Sequence, residues 1–325
     1  MITMSEIARL TGVSQPTVSR VLNGNASVNP EVAKKVLACA KEHNYQPNMI
    51  AKSLNGSNTH LLAAIVPDIA NPFFADLIKI IEREAGKEGY SVLIFNSDYK
   101  AEKEQMYLGL LQQYRVDGLL VVPVHVTEEA LKPFKQLMIP WIIMTNRAEN
   151  ADSVYISHRK SSHLVAEHML EIQAEKFLFI GDKKDKKFIG FEEELRRKGI
   201  DTKSYLRVFW EQDRTKTLEL MIEYIRETSG KIGIYAYNDM QAFVVMNALM
   251  RAGIAIPEKV ALVGFDNTFI ANSVVPGITS INQPLDKMGS FAVQRLIVQI
   301  NQKKRLKMKH SEFAANLIIR ASSKE

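Results

Sequence analysis

The sequence predicts a small all-α unit at the N-terminus and a large α/β unit of two doubly wound halves behind it, and three observations carry that expectation. Residues 3–24, TMSEIARLTGVSQPTVSRVLNG, contain two short amphipathic helix patterns joined at a glycine. From Leu61 onward, short apolar runs alternate with amphipathic stretches, the pattern of a parallel sheet covered by helices on both faces. The 325 residues, 46% of them hydrophobic, are too many for one core and suit a small domain plus a large one.

Thr3 and Glu6 have capping-box spacing, so a first helix starts near Met4, with Ile7, Ala8 and Leu10 as its apolar side. Gly12 supplies a turn that a β-carbon would strain, and Ser14 can cap a second helix whose first turn carries Pro16, where no amide is missed. On that helix Val18, Val21 and Leu22 face the first helix. Gln15, Pro16, Ser19, Arg20 and Asn23 lie on the opposite side, free to point into a major groove. Asn29-Pro30-Glu31 opens a third helix running to about Asn44, with Val32, Val36, Leu37 and Ala40 apolar. In YQPNMIAKSLNG, residues 45–56, Pro47 breaks the chain and Asn48 can cap a helix too short to be stable alone, ending in Leu54.

In the large unit LLAAIV, SVLIF, GLLVV and WIIM read as strands, separated by helical patterns around 73–88, 102–114 and 127–137. FLFIG, YLRVF, IGIYA and VALVGF form a second series, with helices near 160–172, 187–198, 214–227 and 239–252. Two series imply two open sheets, whose ligands bind beyond the carboxyl ends of the strands. The polar residues at those ends are Asp68, Asn71, Thr145-Asn146-Arg147, Asp182, Asn238-Asp239 and Asp266-Asn267.

GVSQPTVSRVLNG followed by YQPNMIAKSLNG resembles the headpiece and hinge of the lac repressor/gal repressor family of bacterial transcription regulators. The likeness continues in order through IVPDIANPFFADLIKIIEREAGKEGYSVLI, VDGLLVV, YNDMQAFVVMNALMRAGIAIPEKVALVGFDN, ITSINQPLDKMG and LIIRASS, nearly the whole chain. The resemblance implies a helix-turn-helix domain at 1–46, a hinge helix and linker at 47–60, and a periplasmic-binding-protein-like effector-binding and dimerisation domain at 61–325. Its N-subdomain would span about 61–158 plus 285–311 and its C-subdomain about 159–284 plus 312–325, with passages near Ser157 to Ser161, Gln283 and Ser311. The DNA-facing set is then Thr3, Gln15, Pro16, Thr17, Ser19, Arg20 and Asn23, with Asn48, Ala51 and Leu54 in the hinge. Arg20 and Gln15 suit bidentate contacts to guanine and adenine, and Leu54 would wedge into the minor groove. The effector set is Phe73, Phe74, Arg147, Lys187, Asn238 and Asp266. Lys187 stands where the family has an arginine, replacing a planar fork by a point charge.

Several of these residues have plainer roles open to them. Phe73 and Phe74 suit a helix core, Asn238 and above all Asp239 suit caps, the KKDKK run at 183–187 suits a solvated loop, and HRKSSH at 158–163 suits a crossover turn.

Net charge is +6 overall, and residues 1–58 carry six Lys and Arg against three Glu, a net +3, so positive charge concentrates on the helix-turn-helix. Cys39 is the lone cysteine and suits a small core position, which excludes a disulfide framework within the chain. The start of the chain lacks a signal-peptide pattern and no run approaches a membrane span, so a cytoplasmic location is expected. Dinucleotide, phosphate-loop, nucleophile-elbow and zinc motifs are missing, so neither catalysis, a metal nor a cofactor is expected. The expected partners are a double-stranded DNA operator, a second copy in a homodimer, and a small effector: a sugar, sugar acid or sugar phosphate. The alternative, a periplasmic-type sugar-binding protein, would need a signal peptide and no headpiece.

Overall fold

The computed structural model describes residues 2–22, 28–45, 58–209, 214–302 and 307–324. The chain divides into residues 1–59 and 60–325.

In the first unit, α1 (Met4–Thr11), α2 (Gln15–Leu22) and α3 (Pro30–Glu42) pack around Ile7, Val18, Val21, Val36 and Ala40. Both halves of the Thr3–Glu6 capping box are made, and Gly12, at φ 69°, closes α1 by donating its N–H to Ala8. Asn29 Oδ1 accepts from the Glu31 N–H at 2.9 Å to start α3. Cys39 is half-buried at the edge of the cluster. Leu10 and Leu37 depart from expectation, standing 49% and 51% exposed, because a unit this small cannot enclose every apolar side chain on its helices.

The second unit contains two sheets among the described residues. The first is formed by β1 (Leu61–Val66), β2 (Ser91–Asn96), β3 (Gly118–Val121), β4 (Trp141–Thr145), β5 (Ser153–Ile156) and β11 (His310–Phe313), in the order β11-β5-β4-β3-β1-β2 and parallel throughout. The second is formed by β6 (Lys176–Ile180), β7 (Leu206–Phe209), β8 (Ile232–Ala236), β9 (Val260–Asp266), β10 (Thr279–Asn282) and β12 (Asn316–Ile318), in the order β12-β10-β9-β8-β6-β7. Only the β10–β12 pair there is antiparallel. In both sheets the order reverses around a central pair, β1/β3 and β6/β8, which is where crevices open in doubly wound folds.

The helices are α4 (Pro72–Lys87), α5 (Ala101–Tyr114), α6 (Lys132–Lys135), α7 (His158–Glu171), α8 (Lys186–Arg197), α9 (Thr202–Tyr205), α10 (Arg214–Glu227), α11 (Asp239–Arg251), α12 (Phe269–Ser273) and α13 (Leu285–Gln302). The helical pattern at 127–137 shrinks to α6, because Pro133 lacks the amide that a helix running through from 127 would need and is tolerated only in a first turn. HRKSSH is not a crossover turn but the first turns of α7, capped where Ser157 Oγ accepts from the Lys160 N–H.

The chain passes between sheets after β5, after β10 and between β11 and β12. The last passage therefore lies at 314–315, and Glu312 and Phe313, expected in the second half, pair with Tyr155 and Ile156 of the first. The return segments are pinned by Asp152, whose carboxylate accepts from Arg295 Nη2 at 2.6 Å and Gln299 Nε2 at 2.9 Å on α13, and from the Lys309 N–H at 2.6 Å ahead of β11.

Candidate functional site

On the headpiece, Gln15, Pro16 and Arg20 are exposed along one side of α2, while Val18 and Val21 bury the other. Ser19 is half-buried. Thr17 is half-buried, its hydroxyl 2.8 Å from Ser14 Oγ. Thr3 donates its hydroxyl to Glu6 Oε2 at 2.9 Å, so that side chain is engaged in capping α1. Asn23, Asn48, Ala51 and Leu54 lie outside the described residues.

In the large unit, a cavity of about 570 Å³ opens beyond the carboxyl ends of β1, β3, β4, β8 and β9, between the two sheets. Phe73, Phe74, Lys187, Asn238 and Asp266 all line it. Arg147 does not; it lines a neighbouring cavity of about 610 Å³ that shares Thr145, Asn146, His158 and Lys186 with the first.

Each lining residue is placed by the start of a helix or the end of a strand. Asn71 Oδ1 accepts from the Phe73 N–H at 3.1 Å, capping α4 so that Phe73 and Phe74 occupy its first turn. Their rings meet edge to face at 5.2 Å, and both are buried in the core as well as bordering the cavity, so the core and pocket readings coincide. Asp185 caps α8, and Lys187 on that first turn donates to the Tyr237 carbonyl at 2.6 Å with its ammonium 4.0 Å from the Phe265 ring centre. The rest of the KKDKK run, Lys183, Lys184 and Lys186, is exposed.

The helix after β8 is capped by Asn238, not Asp239: Asn238 Oδ1 accepts from the Gln241 N–H at 2.8 Å. Asp239 is instead buried, accepting from the Thr268 N–H at 2.6 Å and from Ser280 Oγ at 2.6 Å, and thereby ties the ends of β9 and β10 to α11. Burial raises its carboxyl to about 6.

Asp266 is buried on the cleft wall at the end of β9. Burial pushes its carboxyl up to about 7, partly opposed by the positive charge of Lys187, and Gln283 Nε2 donates to it at 2.7 Å. Gln283 Oε1 is buried without a partner among the described residues, leaving an acceptor for a ligand hydroxyl. Four residues at or beside the cleft hold left-handed backbone: Tyr99 at φ 57°, Thr145 at 67°, Asp266 at 101° and Asn267 at 51°. A β-branched residue in that region is strained, and such strain gathers at ligand sites held by the surrounding fold.

The raised value of Asp266 has a testable sign. The folded state holds this proton more tightly than an unfolded carboxyl near 4, so the group's contribution is complete below about pH 4 and is lost as pH rises through 7. Asp266→Asn is expected to flatten that slope and to stabilise the protein at pH 8 by on the order of 3 kcal/mol. Guanidinium unfolding of both proteins at pH 5 and pH 8 measures it. Asp239 adds a parallel slope to each, so an identical pH dependence in the two would rule the assignment out.

The structure also brings in residues that local sequence does not mark. Tyr99, on a left-handed turn after β2, borders the cavity while remaining 57% exposed. His158 opens α7 with its ring 5.5 Å from Phe265, and desolvation, aided by Lys187 and Lys186, holds it neutral near 3. Tyr237 and Gln283 complete the wall. The one available signal was Gln283, a polar residue between a strand and a proline.

A three-helix unit with a polar recognition face, carried ahead of two doubly wound sheets enclosing a polar cleft, defines a DNA-binding regulator with a ligand-sensing domain. Residues 3–48 match the family of bacterial regulatory proteins of the lacI type, and residues 166–323 match the periplasmic binding protein-like domain. The chain is 32% identical over 331 residues to the ribose operon repressor of Halalkalibacterium halodurans, covering 100% of this chain and 98% of that protein. A periplasmic binding protein/LacI transcriptional regulator from Alkaliphilus metalliredigens, solved with D-xylulofuranose, is 27% identical over 82% of this chain and 100% of its own, with a TM-score of 0.69. The lac repressor dimer bound to operator shares the fold over 99% of both chains, with a TM-score of 0.84 at 21% identity. The chain belongs to the LacI family and is a DNA-binding transcription regulator.

Proposed function

We propose that this regulator is a homodimeric repressor that binds a pseudo-palindromic operator and is controlled by a sugar or sugar derivative held in the cleft between its two sheets. The observation that carries the ligand reading is the convergence of Phe73, Phe74, Lys187, Asn238 and Asp266 on one cavity with the unpartnered Gln283 acceptor. Aromatic faces beside carboxylate and amide groups suit the apolar and hydroxyl faces of a sugar. The relative solved with D-xylulofuranose and the relative named for ribose support the same class.

On DNA, α2 of each headpiece lies in a major groove, Arg20 and Gln15 read base edges, and Thr3, Ser19 and Asn23 meet phosphates. The hinge, with Asn48, Ala51 and Leu54, enters the minor groove. Ligand shifts the populations of two arrangements of the sheets and so alters the hinges. The protein acts in the cytoplasm, by binding rather than by catalysis. Among the described residues no helix is long and apolar enough to cross a membrane.

Operator selection from random duplexes, followed by binding at several salt concentrations with and without each of a panel of sugars, tests this. The expected result is one two-fold-symmetric site, an affinity falling steeply with salt, and at least one sugar that changes operator affinity by tenfold or more. A panel without effect on either protein stability or operator affinity would sink the sugar reading, and an unenriched pool would sink the DNA reading.

A further inference from the structure

The second cavity, beside the cleft, is not explained by the residues assigned so far. Its walls come from the end of β4, from β5 and from β11 of the first sheet, from the start of α7 and from α8, so it lies between that sheet's edge and those two helices. Four Lys or Arg side chains line it. Two are neutralised locally: Arg159 forms a two-bond pair with Glu193, and Lys160 pairs with Glu312 at 2.8 Å. The other two, Arg147 and Lys186, make no hydrogen bond or ion pair from their side chains among the described residues.

Lys186 is the first residue of α8, a 12-residue helix whose N-terminus the Asp185 carboxylate already caps. His163, on the same wall, holds its Nδ1 3.9 Å from Glu194 Oε2 and leaves a buried Nε2 without a partner among the described residues. Meanwhile Lys187, the cation that sequence placed in the clamp, already donates to the Tyr237 carbonyl and lies over Phe265. Arg147 therefore sits one compartment away from the sugar-like site, with Asn146 and Lys186 on the wall common to both.

We propose that the second cavity is an anion subsite in which Arg147 and Lys186 hold the phosphate of a sugar phosphate whose sugar occupies the first. Arg147 offers the paired donors that a phosphate accepts, and Lys186 adds a point charge beside it. A sugar acid fits less well, because its carboxylate is bonded directly to the carbon chain and stays in the first compartment, whereas a phosphate ester stands off by an oxygen and can reach the second. The inference rests on the sugar reading of the cleft given above.

The test is calorimetric titration of the full-length protein and of the Arg147→Gln/Lys186→Gln double variant with D-ribose and D-ribose 5-phosphate, together with thermal shifts in inorganic phosphate. In the wild type the phosphorylated sugar is expected to bind at least tenfold more tightly than ribose, and in the double variant the ratio is expected to fall to threefold or less. Equal affinities in the wild type, or a ratio that survives the double substitution, overturns the proposal. If neither sugar binds, the reading of the cleft as a ribose-type site fails separately, and inorganic phosphate decides the subsite. Phosphate on the headpiece acts equally on both proteins, so a larger shift for the wild type supports the subsite and an equal shift overturns it.

Discussion

Arg20→Ala is expected to weaken operator binding by about 1 to 3 kcal/mol at each half-site, and by twice that in a symmetric dimer, while relaxing preference for one base pair per half-site. Arg20 lies in the last turn of α2, exposed, on the side of the helix away from Val18 and Val21. A side chain that contacts only phosphate behaves differently, since its removal weakens all duplexes alike and lowers the salt dependence. Fluorescence anisotropy with the selected operator and its single-base variants separates the two. An Arg20→Ala protein that keeps both affinity and base preference removes this residue from the reading surface; uniform loss reassigns it to the backbone.

Gly190→Ala is expected to destabilise the ligand-binding unit by about 3 kcal/mol and to weaken ligand binding in the fraction that remains folded. Gly190 lies where α8 crosses the start of α7, and a β-carbon there would overlap the backbone carbonyl of Arg159. Backbone cannot rotate aside as a side chain can, so the two helices must separate. The Arg159–Glu193 pair that spans this crossing would stretch, and Lys186 and Lys187, one turn earlier on α8, would move relative to the cleft. Chemical denaturation measures the first effect and calorimetry the second. A variant of wild-type stability would mean that the crossing is looser than the geometry shows.

Where local chemistry decides, the sequence was informative. The capping box at Thr3 and Glu6, the turn at Gly12, the helix start at Asn29, and the apolar strands of both sheets depend on residues within a few positions of one another. The departures share a different cause. Leu10 and Leu37 belong to apolar faces by spacing, yet a three-helix unit has no interior left for them. Asp239 has the residue type of a cap, yet Thr268 and Ser280, distant in sequence, claim its carboxylate. Strands β5, β10, β11 and β12 are short and lack alternation, and only pairing partners far along the chain define them.

By itself, the sequence determined the helix-turn-helix, the two series of alternating strands and helices, and the chemical types gathered at the strand ends, because capping, periodicity and turn formation act over a few residues. Tertiary structure alone decided which of those strand ends share a cavity. It committed Lys187 to the Tyr237 carbonyl, left Arg147 and Lys186 uncompensated beside it, and raised Asp266 toward neutrality by burial. These outcomes depend on distance and desolvation between segments up to about two hundred residues apart, such as Asn71 and Gln283 on one cleft wall, and no local pattern encodes either quantity.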